Sequence, residues 1–267
     1  MKYNELFYLF QKENIPYPDI RVVFESYFHM PVDLLGIHGE EEVKEDYKSL
    51  LQKLKEGYPA NYVAGYVDML SLHIFLNEDT LIPRNETAQF IHEYIKDNID
   101  LNHKKVLDLC TGSGFIAMAI KKFFPFAETY ASDICKNALE CAKKSSEFNH
   151  KEIHFFLSDF LKDTDEVFDC IISNPPYIEE NSTDVMSPYE PALALFSGKD
   201  GLDSYRCIFK DLSKHLKKGG QAFFELESTN SQKTQELFHA INPVGYQTEI
   251  WKDLYGRDRY LLIQSIA

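Results

Sequence analysis

From residue 104 onward, short apolar runs alternate regularly with segments of helical periodicity. The apolar runs have the length of strands and lie at 106–110, 129–132, 153–157, 168–173, 221–226, 247–251 and 259–263. Helical patterns separate them at 115–124, 136–148, 204–216 and 231–241. Because alternating strands and helices require parallel strands joined by right-handed crossovers, this pattern predicts an α/β fold with a mostly parallel sheet.

One of these strands ends abruptly at a pair of prolines, in the segment Asn174-Pro175-Pro176-Tyr177. Proline has no N–H to give to a β-ladder, so the strand must end by Asn174, and two successive rings stiffen the turn. Ligands of open α/β sheets bind at this end of the strands. The segment therefore predicts a rigid rim that offers a side-chain amide, a free backbone carbonyl and an aromatic ring to a planar NH2 group. Taken alone, it also fits an ordinary proline-rich turn.

The composition argues against nucleic-acid-binding, metal-binding and membrane proteins. The 267 residues include 28 basic and 42 acidic side chains, for a net charge of −14, and contain no basic block. Since binding to nucleic acid depends on neutralised phosphates, this balance argues against a stable nucleic-acid partner. The five cysteines and nine histidines lack the spacing of a metal site, so we predict none. We expect a cytoplasmic monomer with reduced thiols, because no signal peptide or membrane span is apparent.

Two smaller units precede the sheet. Residues 1–60 carry apolar residues at helical spacing between prolines, which predicts a small helical domain that docks the substrate. Residues 61–82 come close to alternation, with a turn at 77–79, and this pattern predicts a β-hairpin linker. The sheet domain then occupies residues 83–267.

A glycine loop follows the first strand of the sheet domain. Gly112, Gly114 and Ala117 fit the pattern G-x-G-x-x-[G/A] between a strand and a helix. Asp133, 19 residues after Gly114, suits the two hydroxyls of a ribose, although it also fits a helix N-cap. On these residues alone, an NAD enzyme competes with an S-adenosylmethionine enzyme. Asp108 favours the methyl donor, because its negative charge would repel a phosphate and attract an amino group.

The proline-rich rim separates these two possibilities, because it resembles the rim of Rossmann-like methyltransferases that modify planar NH2 nitrogens. An amide nitrogen is a poor nucleophile, since its lone pair is delocalised into the carbonyl. If Asn174 Oδ1 and the Pro175 carbonyl each accept one N–H, the nitrogen is held facing the methyl donor. The same acceptors stabilise the positive charge that develops during transfer. Tyr177 is expected to pack against the acceptor plane and exclude water.

Over essentially its full length, the chain resembles the release factor glutamine N5-methyltransferases. The resemblance is carried by Leu81-Ile82-Pro83-Arg84 with Glu86-Thr87, by residues 108–114, 174–178 and 198–202, by Glu190-Pro191 with Ala194-Leu195, by Glu227 with Gln232, and by residues 253–259. It implies a Rossmann-like, seven-stranded S-adenosylmethionine-dependent methyltransferase domain preceded by a helical domain and a β-hairpin. It also implies methylation of the Gln in the Gly-Gly-Gln motif of peptide chain release factors.

The resemblance assigns roles to individual residues. Catalysis is expected of Asn174, Pro175 and Tyr177, and these three with Pro176 would bind the substrate glutamine. The resemblance implies that the methyl donor is bound by Thr111, Gly112, Ser113, Gly114, Asp133, Phe160 and Asn174. We expect Asp108, Cys110 and Asp159 to contribute to the same site.

The chain also departs from the family pattern. Cys110 stands at a position where the family usually has glycine, and Asn85, Ala88 and Thr229 replace a usual Pro, Glu and Gly. Outside the rim, Arg84 is expected in an ion pair at the domain junction and Glu190 in ordering the loop after Tyr177.

Several alternatives remain open from the sequence. Glu227 either caps the following helix or supports Asn174. The acceptor could instead be a glutamine of a ribosomal protein, or adenine or guanine of nucleic acid. A binding-only adaptor is disfavoured by the intact rim.

Overall fold

The N-terminal part of the protein is helical, in a computed structural model that describes residues 1–182 and 187–266. Its helices are α1 (Tyr3–Lys12), α2 (Tyr17–Ser26), α3 (Leu35–His38), α4 (Tyr47–Lys55) and α5 (Ala60–Ala64). Asp46 caps α4 by accepting a hydrogen bond from the Ser49 N–H at 3.2 Å. The apolar faces bury Leu6, Phe10 and Phe24 completely in a hydrophobic core that is separate from those of the sheet.

A β-hairpin follows, formed by β1 (Tyr66–Met69) and β2 (Leu72–Phe75) in antiparallel register. Its two-residue turn consists of Leu70 and Ser71, with φ of 50° and 52°, a pair of left-handed residues that matches the twist of a hairpin. No Asn-Gly or Asp-Gly signal marks this turn. The turn expected at 77–79 lies beyond β2, as part of the connection to the sheet domain.

The sheet has seven strands in the order β5-β4-β3-β6-β7-β9-β8. The strands are β3 (Lys105–Leu109), β4 (Glu128–Asp133), β5 (His154–Leu157), β6 (Phe168–Ser173), β7 (Leu216–Glu225), β8 (Tyr246–Lys252) and β9 (Asp258–Ser265). Strands β3 to β7 pair in parallel, and β9 pairs antiparallel with both β7 and β8. The predicted α/β class and mostly parallel sheet are therefore confirmed.

Helices cover both faces of this sheet. They are α6 (Asn85–Gln89), α7 (Lys96–Asn98), α8 (Phe115–Phe123), α9 (Lys136–Phe148), α10 (Ala192–Leu195), α11 (Asp203–His215) and α12 (Ser231–Ile241). Residues Phe90–Ile95 between α6 and α7 form a π-helical segment. Alternate residues of β3 enter different cores, with Val106 on the side of α8 and Leu107 on the side of α11 and α12. No helix in the described ranges is both long and apolar enough to traverse a bilayer.

The strand order places a ligand site. The chain runs outward from β3 through β4 to β5 and then returns to β6 on the other side of β3. Such a reversal leaves a crevice at the carboxyl ends of the two central strands. The glycine loop after β3 and the proline-rich rim after β6 meet at this crevice.

Candidate active site

A cavity of about 250 Å³ opens at the carboxyl ends of β3, β4 and β6. The predicted site residues in its wall are Cys110, Thr111, Gly112, Ser113, Asp133, Asp159, Phe160, Asn174 and Pro176. The wall also includes Arg84 and Thr87, from the segment that joins the hairpin to α6. Four other predicted residues, Asp108, Gly114, Pro175 and Tyr177, do not belong to the lining.

The loop after β3 turns on three residues with positive φ, at Cys110 (61°), Gly112 (52°) and Gly114 (83°). A Cβ added at Gly112 would meet nothing within 4 Å, so this glycine leaves room at the cavity wall. A Cβ at Gly114 would lie 2.9 Å from the Cβ of Ala142, so Gly114 instead lets α8 pack closely on α9. Cys110 adopts a conformation that costs a residue with a side chain about 1–2 kcal/mol.

Asp108 organises the loop from inside the protein. Its Oδ2 accepts hydrogen bonds from Thr111 Oγ1 at 2.5 Å and from the Ala117 N–H at 2.9 Å. Its Oδ1 has no partner among the described residues, and burial raises the pKa of the carboxyl group to about 7. Asp108 shares the face of β3 that α8 covers, so its side chain meets the start of that helix. Asp108 therefore lies behind the cavity wall, and its role in binding the methyl donor stays a prediction.

Asp133 ends β4 at the cavity wall. Its Oδ2 accepts from the Gly112 N–H at 2.8 Å, and its Oδ1 accepts from the Cys135 N–H at 2.9 Å. Each oxygen keeps a further lone pair, which leaves two adjacent acceptors for a pair of hydroxyls. Burial raises the pKa of this carboxyl group. The N-cap of α9 is Cys135, so the alternative of Asp133 as the helix cap is not realised.

The third wall follows β5. Phe160 has a φ of 52°, and its carbonyl accepts a hydrogen bond from Ser158 Oγ at 2.6 Å, which holds the turn. Asp159 is partly exposed and pairs with Lys162 at 2.5 Å. Together with Asp79 and Asp133, it gives the cavity wall three carboxyl groups against the one guanidinium of Arg84, a balance that suits a cationic ligand.

The proline-rich rim begins where β6 ends. Ser173 Oγ donates to the Leu109 carbonyl at 2.7 Å and ties the end of β6 to β3. Asn174 is half-buried in the cavity wall, and its side-chain amide has no hydrogen-bond partner within the described ranges. The Pro175 carbonyl likewise accepts no backbone hydrogen bond from any residue that the structure describes. The rim therefore holds two free acceptors next to the glycine loop.

The far end of the rim is held by a second segment. The Ile178 N–H donates to the Leu195 carbonyl, and the Ser197 N–H donates to the Ile178 carbonyl, each at 2.8 Å. At Gly201, φ is 72°, and an added Cβ would lie 2.4 Å from the carbonyl oxygen of Tyr177. The backbone after the prolines is thus fixed from both sides.

Tyr177 points away from the cavity. Its hydroxyl donates to Glu225 Oε1 at 3.2 Å, and its ring packs on the apolar cluster between the sheet and α11 and α12. The prediction that it covers the acceptor plane is corrected, because the hydroxyl finds its partner in the interior. Glu225 was not predicted from the sequence, although a carboxylate directly after Phe223 and Phe224 in a buried strand is a usable signal.

Two further predictions concern acidic residues near the rim. Glu227 begins the 3-10 turn Ser228–Asn230 without a side-chain cap, so neither of its predicted roles is seen. The predicted ion pair of Arg84 is confirmed, because its guanidinium donates to Glu190 Oε2 at 2.5 Å. Glu190 is buried, and this pair fixes the segment after the rim to the segment that joins the hairpin to α6.

Comparison with known proteins agrees with this geometry. The model of the Methyltransferase small domain family matches residues 85–188. A methyltransferase from Pyrococcus furiosus has a TM-score of 0.56 at 20% identity, over 74% of this chain and 90% of its own. A ribosomal protein L11 methylase from Lactobacillus delbrueckii has a TM-score of 0.52 at 21% identity, over 69% of this chain and 81% of its own. These structures establish the methyltransferase fold.

Curated relatives are closer in sequence. The release factor glutamine methyltransferase of Flavobacterium psychrophilum is 36% identical over 228 residues, covering 81% of this chain and 79% of the relative. That of Streptococcus pneumoniae is 34% identical over 229 residues, covering 84% of this chain and 81% of the relative. On this identity and coverage, the chain belongs to the release factor glutamine methyltransferase family.

Proposed function

We propose that this protein transfers a methyl group from S-adenosylmethionine to the side-chain amide nitrogen, N5, of the Gln in the Gly-Gly-Gln motif of peptide chain release factors. The observation that carries the proposal is the free amide of Asn174 in the wall of the same cavity as the glycine loop and Asp133. This arrangement brings an acceptor site for N–H groups next to a site for an adenosine-containing cation.

Several residues of the cavity wall support binding of the methyl donor. Asp133 would accept hydrogen bonds from the ribose hydroxyls, since each of its oxygens keeps a lone pair beside the bonds to Gly112 and Cys135. The open space at Gly112 would admit the donor backbone, and Phe160 and Ile134 provide apolar wall for a base. When bound, S-adenosylmethionine supplies an electrophilic methyl group carried on a sulfonium.

The rim would hold and orient the acceptor. Asn174 Oδ1 and the Pro175 carbonyl each accept one N–H of the glutamine amide, which turns the nitrogen lone pair towards the donor site. These two acceptors become stronger partners as positive charge develops on the nitrogen, so they stabilise the transition state more than the ground state. No base has to act before attack, and the extra proton leaves to water afterwards.

The N-terminal unit would dock the release factor. We place a substrate-docking domain at residues 1–60, the hairpin linker at 61–82 and the catalytic domain at 83–267. The separate core of the helical unit supports this division. The protein would act as a cytoplasmic monomer, with the release factor as a transient partner.

Labelled S-adenosylmethionine and a purified release factor test the proposal in a single-turnover assay. Label should enter the protein with Gly-Gly-Gln and not its Gly-Gly-Ala variant. Asn174→Ala enzyme should transfer methyl on the order of a hundredfold more slowly, as for loss of a preorganised transition-state partner. Donor affinity, measured by calorimetry for each enzyme, separates loss of transfer from loss of donor. Absence of label from the Gly-Gly-Gln protein, with the donor bound, would refute the proposed substrate.

A further inference from the structure

Glu225, the last residue of β7, is the meeting point of several hydrogen bonds behind the rim. The residue is 1% exposed. Its Oε2 accepts from Thr87 Oγ1 at 2.7 Å and from the Tyr260 hydroxyl at 2.8 Å, and its Oε1 accepts from Tyr177 at 3.2 Å. Its backbone carbonyl accepts from the hydroxyl of Tyr205. The side chain thus connects α6, β9 and the rim.

Such a group is costly to keep in the interior. Burial raises the pKa of Glu225, and the hydroxyl donors together with the charge of Arg259 offset this effect only in part. A buried carboxylate is often no more stabilising than a well-packed apolar group of similar volume. Stabilisation of the core therefore does not explain this network well. A role at the neighbouring proline-rich rim would explain it better.

The connection from Glu225 to the acceptors of the rim is short. Strand register pairs Ser173 with Phe224, so Asn174 and Glu225 follow side by side at the ends of adjacent strands. Between Asn174 and Tyr177 lie two prolines, whose rings restrict φ and leave little freedom for adjustment. A shift of the Tyr177 ring would therefore be transmitted to the Asn174 amide and the Pro175 carbonyl.

We propose that Glu225 is a positioning residue for methyl transfer, which fixes the Asn174–Pro175 acceptor pair by holding the hydroxyl of Tyr177. This inference rests on the proposed function of the rim. Glu225 acts through Tyr177 and does not touch the substrate. Misplacement of reacting groups by an ångström costs on the order of a hundredfold in rate, so a modest loosening of Tyr177 is enough for a measurable effect.

Three single variants and one double variant test the assignment in the full-length enzyme. Tyr177→Phe removes only the hydroxyl, and Glu225→Gln keeps the shape of the side chain but not its charge. Tyr260→Phe is the matched control, because it removes a hydroxyl bound to the same carboxylate but lies fully buried outside the cavity. For each enzyme we would measure kcat and KM for the release factor, the Kd for S-adenosylmethionine, and the unfolding midpoint.

The expected pattern separates positioning from stability. Tyr177→Phe and Glu225→Gln should each lower kcat on the order of tenfold or more, with the donor Kd unchanged. The double variant should be no slower than the slower single variant, because both changes break one connection. Tyr260→Phe should lower the unfolding midpoint while kcat stays within about twofold of wild type.

Other results would overturn the assignment. Wild-type kcat in Tyr177→Phe, or an equal loss of kcat in Tyr260→Phe, would show that the hydrogen bond does not set the rim. Should Glu225→Gln fail to fold, Tyr177→Phe and Tyr260→Phe still decide the question. Failure of the wild-type enzyme to methylate any release factor would count against the proposed function itself, and is scored separately in the same assay.

Discussion

Asp108 shows how a single buried carboxyl group makes stability depend on pH. Its pKa in the folded protein is raised from 3.8 to about 7, chiefly by burial. The neutral form is therefore favoured by folding, and stability is lost as pH rises from about 4 to about 7. The loss amounts to at most about 1.4 kcal/mol for each pH unit in that window.

Asp108→Asn should remove this dependence, because the amide does not ionise. The free energy of unfolding, measured with urea at pH 5 and pH 8, should fall less with pH in the variant than in the wild type. The difference between the two proteins isolates Asp108 from the other titrating groups. Parallel pH profiles would show that the carboxyl group is already charged at pH 5.

At position 110, we expect glycine to be more stabilising than alanine, which reverses the usual order. At an ordinary loop position, alanine is more stabilising than glycine by about 0.4–1 kcal/mol, since glycine has more freedom in the unfolded chain. At Cys110, φ is 61°, a conformation that costs alanine but not glycine about 1–2 kcal/mol. Cys110→Gly should therefore be more stable than Cys110→Ala in thermal unfolding. The usual order, with alanine ahead, would argue against a strained loop.

Among the connecting elements, the turn at Gly201 packs against the backbone of the rim, so a side chain at this position should affect methyl transfer. A Cβ at this position meets the Tyr177 carbonyl oxygen at 2.4 Å, so Gly201→Ala must displace the rim or its own segment. We expect a destabilisation of roughly 2 kcal/mol or more, and a loss of kcat.

Gly219→Ala is the matched control for this prediction. Gly219 has a φ of 73°, nearly the same as the 72° of Gly201, but an added Cβ there has nothing within 4 Å. The control thus carries the backbone strain without the clash. Equal losses of stability and kcat in the two variants would leave no role for the contact with Tyr177.

The elements of the sheet could be predicted from the sequence because each depends on local patterns. Apolar runs and helical periodicity located the strands and helices, although β7 begins at Leu216, earlier than expected. The rim after β6 followed from the chemistry of proline. Side-chain direction did not follow in the same way. Asp108 and Tyr177 both point into the interior, since the partners that decide this lie on other elements.

At the scale of the whole molecule, contacts between distant parts of the chain were the least predictable. Thr87 and Glu225 are 138 residues apart in sequence, and no local pattern connects them. An ion pair of Arg84 at the domain junction was expected from the sequence, whereas Glu190 was expected only to order the loop after Tyr177. That Glu190 is the partner of Arg84, and that it is buried, required the structure.

The buried Arg84–Glu190 pair lies where several distant parts of the chain meet. It joins the start of the sheet domain to the segment after the rim, and that second segment also contacts the N-terminal unit. There, Ser187 Oγ donates to the Gly57 carbonyl at 3.2 Å, and the rings of Tyr58 and Tyr189 meet edge to face at 5.2 Å. Loss of the pair should therefore destabilise the protein rather than a single loop.

Arg84→Met leaves the Glu190 carboxylate, whose side chain is 1% exposed, without its cation. We expect a loss of about 3–5 kcal/mol in the free energy of unfolding, measured by urea denaturation. Adding Glu190→Gln should restore most of that loss, because the buried charge is then absent. The surface pair Lys214–Asp211 is the control, with Lys214 68% exposed, and Lys214→Met should cost less than about 1 kcal/mol. If Arg84→Met lost no more free energy of unfolding than Lys214→Met, the Glu190 carboxylate would have to be solvated, which would contradict its burial.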